Sequence, residues 1–249
     1  MINFSRVSDK SIVGKIFRLL VKLLPRNTIL YILQGKLKGK KWIIGSYVHS
    51  CWLGSYAYKE QILFSKIIKQ GSIVYDIGAN VGFYTLLASV LVGPRGKVFA
   101  FEPAPRNIYY LKEHLRLNRC DNVMVIEAAV SDKDDIAFLE ETIISSQDHL
   151  STKGNLKVKT ISLDNLVAKG KIPLPDYIKI DAEGAELSVL FGAKKILVSC
   201  SPTIFLSTHG FDLRSQCCTF LNSINYDLKS IDENEDINKA YELLAFKKR

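Results

Sequence analysis

The stretch Tyr75-Asp76-Ile77-Gly78-Ala79-Asn80-Val81-Gly82-Phe83 decides how the chain folds. A short apolar run, Ser72–Ile77, leads into it, and helical periodicity over Phe83–Val92 leads out of it. A strand, a tight turn and a helix fit that order. Gly78 and Gly82 let the backbone turn sharply and let a ligand approach without a Cβ in the way. Asn80 is a residue type that tolerates a left-handed conformation. The helix that follows offers N–H groups that no helical carbonyl takes.

The same alternation continues downstream. Lys97–Phe101 reads as a strand, Asn107–Asn118 as a helix and Val123–Ala128 as a strand. Residues 136–161 read as a less regular insertion with short strands, and Asp164 suits the cap of a short helix, Leu166–Lys169. Tyr177–Ile180 and Ile204–Leu206 read as strands, followed by helices Glu186–Leu197 and Leu213–Ile224. Tyr226–Ile231 and Tyr241–Phe246 close the chain as an antiparallel pair. Repeated βα units imply a mostly parallel sheet with helices on both faces. Ligands of such sheets bind beyond the carboxyl ends of the strands.

Acids gather at those ends. Asp76 precedes the glycine turn, and Glu102 ends the next strand, twenty residues after Gly82. A carboxylate there can accept both hydroxyls of an adenosine ribose. The turn reads D-x-G-x-N-x-G, one residue shorter between its outer glycines than a dinucleotide turn, and a pyrophosphate would be repelled by Asp76. S-adenosylmethionine (SAM) carries an ammonium, a sulfonium and no phosphate. Asp76, Gly78, Asn80, Gly82 and Glu102 therefore point to SAM rather than NAD. Ala129, after the third strand, leaves room for an adenine ring, and Asp132 reads as a turn residue.

Asp181 and Glu183 flank the tip of the fourth strand in Ile178-Lys179-Ile180-Asp181-Ala182-Glu183-Gly184-Ala185-Glu186. Two nearby carboxylates can raise one another's pKa, which suits a base near neutral pH. Glu186 opens the next helix, where its charge meets the helix dipole favourably. His209, at the end of the fifth strand, approaches the cleft beside Asp181. Asp181, Glu183 and His209 are the candidate catalytic residues. Two strand-tip acids and one histidine are common without a metal, so none is expected; a cation that binds both substrate oxygens is the alternative.

Composition sets the outer limits. The 249 residues, 47% of them hydrophobic, suit one globular α/β domain and exclude global disorder. Residues 1–50 hold ten Lys/Arg and one acid, so the whole net charge of +9 belongs to an N-terminal arm, and 51–249 form a neutral domain. Within the arm, residues 11–24 have helical periodicity, with Lys15, Arg18 and Lys22 on one face. Such a helix is too short to span a bilayer; its apolar face suits covering one side of the sheet or a partner subunit, with the lysines in water, or else docking at an anionic membrane surface. No long uncharged apolar run predicts a membrane span. Cys51, Cys120, Cys200, Cys217 and Cys218 show no C-x-x-C spacing, which fits scattered thiols in a reducing cytoplasm.

At these residues the chain resembles the FkbM family of SAM-dependent methyltransferases. The resemblance rests on Trp52-Leu53-Gly54-Ser55-Tyr56, Val74 to Thr85, Phe101-Glu102-Pro103, Ala128 to Asp132, Leu163-Asp164 and Ile178 to Glu186, and covers roughly residues 50–210. It implies a class I, Rossmann-like fold: a seven-stranded sheet with one antiparallel strand. It also implies methylation of a hydroxyl on a small molecule, sugar or glycan. One departure stands out. The family often has a Glu two residues before the fifth-strand His, and here that position is Ser207. The expected function is thus an O-methyltransferase. A nucleic-acid methyltransferase is the alternative raised by the basic arm, although the neutral domain and the lack of aromatic-basic interleaving argue against a nucleic-acid partner. A membrane-surface protein with a SAM fold and no catalysis is the other.

Overall fold

A computed structural model describes residues 24–140, 149–150, 154–237 and 239–248. The expected helix over 11–24 lies almost wholly outside them. The chain runs β1 (Ile29–Tyr31), β2 (Lys41–Ile43), α1 (His49–Leu53), α2 (Tyr58–Ile67), β3 (Ile73–Ile77), α3 (Phe83–Val92), β4 (Lys97–Phe101), α4 (Pro105–Asn118), β5 (Val123–Ile126) and β6 (Ala129–Val130). It continues through β7 (Asp135–Glu140), β8 (His149–Leu150), β9 (Leu156–Ile161), α5 (Leu163–Ala168), β10 (Tyr177–Ile180), α6 (Glu186–Gly192) and α7 (Lys194–Ser199). It ends with β11 (Thr203–Ser207), α8 (Phe211–Ser223), β12 (Tyr226–Ser230) and β13 (Glu242–Lys247).

Seven strands form the main sheet in the order β12-β13-β11-β10-β3-β4-β5. All pair in parallel except β13, which runs antiparallel to both β11 and β12. This is the seven-stranded sheet with one antiparallel strand that the family resemblance implies. The order reverses between β3 and β10, and such a switch point opens a crevice at the strand ends. The insertion forms its own sheet, β6-β9-β7-β8.

Side chains alternate across the sheet and define two cores. Tyr75, Ile77, Phe99, Phe101, Ile178 and Ile180 pack on one face, with Cys217 and Leu221 of α8. Val74, Val98, Tyr177 and Phe205 pack on the other, with Phe64 of α2, Leu86 of α3 and Cys51 of α1.

Two local readings need correction. Ser162, not Asp164, caps α5, accepting the Asn165 N–H; Asp164 instead accepts the N–H groups of Lys195 and Ile196 at the start of α7. The helix expected over 186–197 breaks after Gly192. A Cβ at Gly192 would lie 2.0 Å from the Ser131 carbonyl oxygen, so the glycine lets the helix pack against the β6 end.

The β1–β2 ribbon joins the second core through Trp42, which is fully buried and stacks on His114 with ring centroids 3.8 Å apart. His114 Nε2 accepts the Ile43 N–H at 3.1 Å, and Nδ1 donates to the Val81 carbonyl at 2.8 Å. Only a neutral ring can do both. Burial pushes its pKa down from 6.5 to about 4. Because the folded value lies below the unfolded one, the unfolded chain takes up this proton first on acidification. The ring's contribution is complete above pH 6.5 and is lost as pH falls toward 4. Urea titrations of the protein and of His114→Phe should therefore diverge in pH dependence. The parent should lose about 1.4 kcal/mol more per pH unit between roughly pH 6 and 4.5. Parallel profiles would refute the neutral-ring assignment.

Candidate active site

The crevice is built from close backbone approaches. Gly78 and Ala79 both donate to the Phe101 carbonyl at 3.0 Å, folding the turn after β3 over the end of β4. Gly78 has φ +74, and a Cβ there would sit 1.8 Å from the Asp181 carbonyl oxygen. Neither the conformation nor the space admits another residue. Asn80 takes the left-handed conformation expected of it, with φ 50. Gly82 has φ +92, and a Cβ there would lie 2.5 Å from a methyl carbon of Leu111 on α4, so the glycine also lets α4 pack close to the turn.

The remaining cofactor candidates, Asp76, Gly78, Asn80, Glu102 and Ala129, line one cavity, with Phe101, Val130 and Leu139 giving it an apolar side. Glu102 is buried. Its Oε2 accepts the Asn80 N–H at 2.8 Å, and Oε1 accepts Ala104 N–H at 2.9 Å and Asn107 Nδ2 at 3.3 Å. The acid that sequence reading assigns to a ribose therefore also pins the glycine turn. Asp76 is buried, accepts the Thr85 hydroxyl at 2.5 Å, and has its pKa pushed up to about 6 by burial.

Lys179 on β10 is the cation of this cavity and was not among the sequence candidates. It is 1% exposed. Its Nζ lies 3.3 Å from Glu60 Oε1 and 3.4 Å from Asp181 Oδ2, and donates to Ser207 Oγ at 2.9 Å. Burial opposes its charge, but Asp181, Glu60 and Asp76 more than offset that and hold its pKa above the ordinary value. Ser207, where the family often has Glu, pairs across the sheet with Glu242 of β13. Burial and Glu60 push the Glu242 carboxyl up to about 7. Glu60 and Glu242 lie far from Lys179 in sequence, so no local motif marks them.

Asp181 and Glu183 border the cofactor cavity and also a second one beside it, which His209 lines. The three candidate catalytic residues thus converge. His209 Nε2 lies 3.2 Å from Glu183 Oε2 and 3.7 Å from Asp181 Oδ1. Glu183 holds a left-handed φ of 44 to stand there. Glu186 is more than the helix-dipole partner expected: its Oε1 accepts the Gly184 N–H and meets His209 Nδ1 at 2.8 Å. That hydrogen bond raises the His209 pKa against the effect of burial, and Glu183 and Asp181 add to it.

A family model for the methyltransferase FkbM domain matches residues 76–240. The hexuronic acid methyltransferase AglP of Haloferax volcanii is 32% identical over 58% of this chain and 59% of its own length. The 2-O-methyltransferase NoeI of Sinorhizobium fredii is 27% identical over 54% of this chain and 63% of its own. This chain therefore spans about three fifths of those relatives. The methyltransferase FkbM structure from Methylobacillus flagellatus superposes with a TM-score of 0.52 at 18% identity, covering 70% of this chain and 43% of that one, a likeness of fold.

The Gly78 contact yields a direct test. Gly71 also has a positive φ, 81, but a Cβ there meets nothing within 4 Å. Gly71→Ala should cost only the left-handed penalty of about 1–2 kcal/mol. Gly78→Ala should cost clearly more, by at least about 2 kcal/mol further. Equal shifts in denaturant midpoint would show that the strand tips can part.

Proposed function

Since this chain belongs to the FkbM methyltransferase family, we propose that it binds SAM at the β3–β4 crevice and methylates a hydroxyl of a sugar or sugar-acid acceptor. The observation that carries this reading is the donor set of one cavity. Asp76, Glu102 and Asp181 line it, its lysine is already engaged by carboxylates, and it has an apolar side. Such a lining suits a cationic, phosphate-free adenosine ligand and repels a pyrophosphate. SAM, when bound, supplies an electrophilic methyl group.

The chain's own work is then positional and acid–base. Glu102 grips the ribose, Asp76 attracts the ammonium, and Ala129 with Leu139 borders the adenine. Asp181, Glu183 or His209 accepts the proton of the acceptor hydroxyl. Orientation of acceptor against cofactor supplies most of the acceleration, up to about 7–11 kcal/mol, and the base a further 10²–10⁴-fold or about that. The acceptor class is supported by the names of the two relatives, one acting on a hexuronic acid and one a 2-O-methyltransferase.

Calorimetry should show SAM binding and no NAD binding. Glu102→Ala, checked for folding, should weaken SAM at least about tenfold. Release of S-adenosylhomocysteine should depend on a hexose or hexuronate acceptor. Unchanged SAM affinity in the variant would remove the ribose assignment, and no acceptor-dependent release across such sugars would remove the acceptor class.

A second reading concerns where the enzyme works. Among the described residues no helix is long and apolar enough to cross a membrane. Ile29, Tyr31 and Leu33 nevertheless stand 48%, 60% and 51% exposed beside the basic loop containing Lys36, Lys38 and Lys40. An apolar stripe with cations next to it favours docking at an anionic membrane surface. The intact chain should sediment with phosphatidylserine vesicles at low salt and lose that binding on Tyr31→Glu with Leu33→Glu. Failure of the intact chain to sediment would remove the membrane role.

A further inference from the structure

The tip of β10 and the end of β11 bring three donor atoms to one point. One ligand-type atom each from Asp181, Glu183 and His209 lies within 4.8 Å of the other two. The His209 Nε2 separations, 3.2 and 3.7 Å, are close to the spacing of adjacent ligands around a six-coordinate cation, about 3 Å for bonds of roughly 2.1 Å.

The protonation pattern points the same way. His209 Nδ1 faces a carboxylate oxygen of Glu186 at 2.8 Å, and a carboxylate can only accept, so Nδ1 carries the proton. In the neutral ring the Nε2 lone pair then faces two carboxylate oxygens. Three acceptors aimed at one another repel unless a metal cation or a proton on Nε2 lies among them, and the titration below tells the two apart. Glu186 is fully buried; its Oε1 meets the Gly184 N–H and His209 Nδ1, and its Oε2 meets no hydrogen-bond donor among the described residues. A buried carboxylate behind an imidazole is the arrangement that fixes the tautomer of a metal-binding histidine. Glu60 lies nearby, paired with the buried cation Lys179.

We propose that Asp181, Glu183 and His209 ligate a divalent cation of the manganese(II) class, which accepts mixed carboxylate and imidazole donors, with Glu186 as a positioning residue. The three ligands come from one side and border the cavity beside the cofactor crevice, which leaves positions for two neighbouring oxygens of an acceptor: a vicinal diol or a 2-hydroxy acid. That role for the acceptor rests on the methyltransferase reading; the cation site rests on geometry alone.

The test is a titration of the full chain, stripped with EDTA, by Mn²⁺ alone. Free Mn²⁺ is followed by electron paramagnetic resonance, and SAM binding is measured on the same samples. The expected result is about one Mn²⁺ per chain, bound at least roughly tenfold more weakly after Asp181→Asn or Glu183→Gln. Glu186→Gln, which touches no cation, should still weaken binding about 10–100-fold, an effect that scattered surface acids would not show. The first two substitutions preserve shape, so they carry the test even if His209→Ala fails to fold. A chain that binds SAM but takes up no Mn²⁺ at about 1 mM overturns the cation site and leaves the methyltransferase reading standing; the three residues then form only a histidinium ion-pair cluster. Uptake undiminished in the Asp181→Asn, Glu183→Gln double variant overturns the site as well. A chain that binds Mn²⁺ as expected but transfers no methyl group to any sugar supports the cation site and sinks the acceptor class instead.

Discussion

Gly78 lies so close to the Asp181 carbonyl that even one added methyl group has nowhere to go. The ladder between β3 and β10 continues into this contact through the Asp181 N–H, which donates to Ile77 at 3.0 Å. The turn that would hold the cofactor and the tip that carries the candidate base are therefore parts of one body. Glu102 braces the same turn from the β4 side through the Asn80 N–H. A group transfer needs its partners held to fractions of an ångström, and this double clamp fixes the turn and the strand tip relative to one another.

The charge arrangement follows from that clamp. Bringing β3, β10 and α2 together buries Asp76, Lys179 and Glu60. None of them could be buried alone at tolerable cost. Lys179 makes the set possible, since one ammonium faces Glu60, Asp181 and the Ser207 hydroxyl. A chain with Ser207 in place of Glu also keeps a carboxylate next door, because β13 runs antiparallel and sets Glu242 opposite.

Much of this was legible in the sequence, and what was not shares a cause. The apolar runs of β4 and α3 mark their observed bounds, because both elements are buried almost throughout and are set off by glycines and charged residues. The strand-end acids were found because the topology sends all those ends to one edge. Glu60, Lys179 and Glu242 escaped, since their meaning lies in contacts between distant segments. His114 escaped for the same reason: it reads as an ordinary helical residue until Ile43 and Val81 arrive at its two nitrogens. The packing of Gly82 on Leu111, one helix away, is invisible in the sequence for the same reason. The break after Gly192 depends likewise on Ser131.

Each face of the sheet keeps one fully buried thiol, Cys51 among the residues of α1 to α3 and Cys217 under α8. Burial pushes both up, Cys217 to about 12 and Cys51 well above its ordinary value, so neither forms a reactive thiolate in the native protein. The molecule therefore carries a separate chemical reporter in each layer. With the half-buried Cys120, Cys200 and Cys218 replaced by serine, alkylation at Cys51 would time the opening of the N-terminal layer, and alkylation at Cys217 that of the C-terminal one. Coincident rates would mean that the sheet and both its coats come apart as a single cooperative unit; separate rates would reveal which coat peels first.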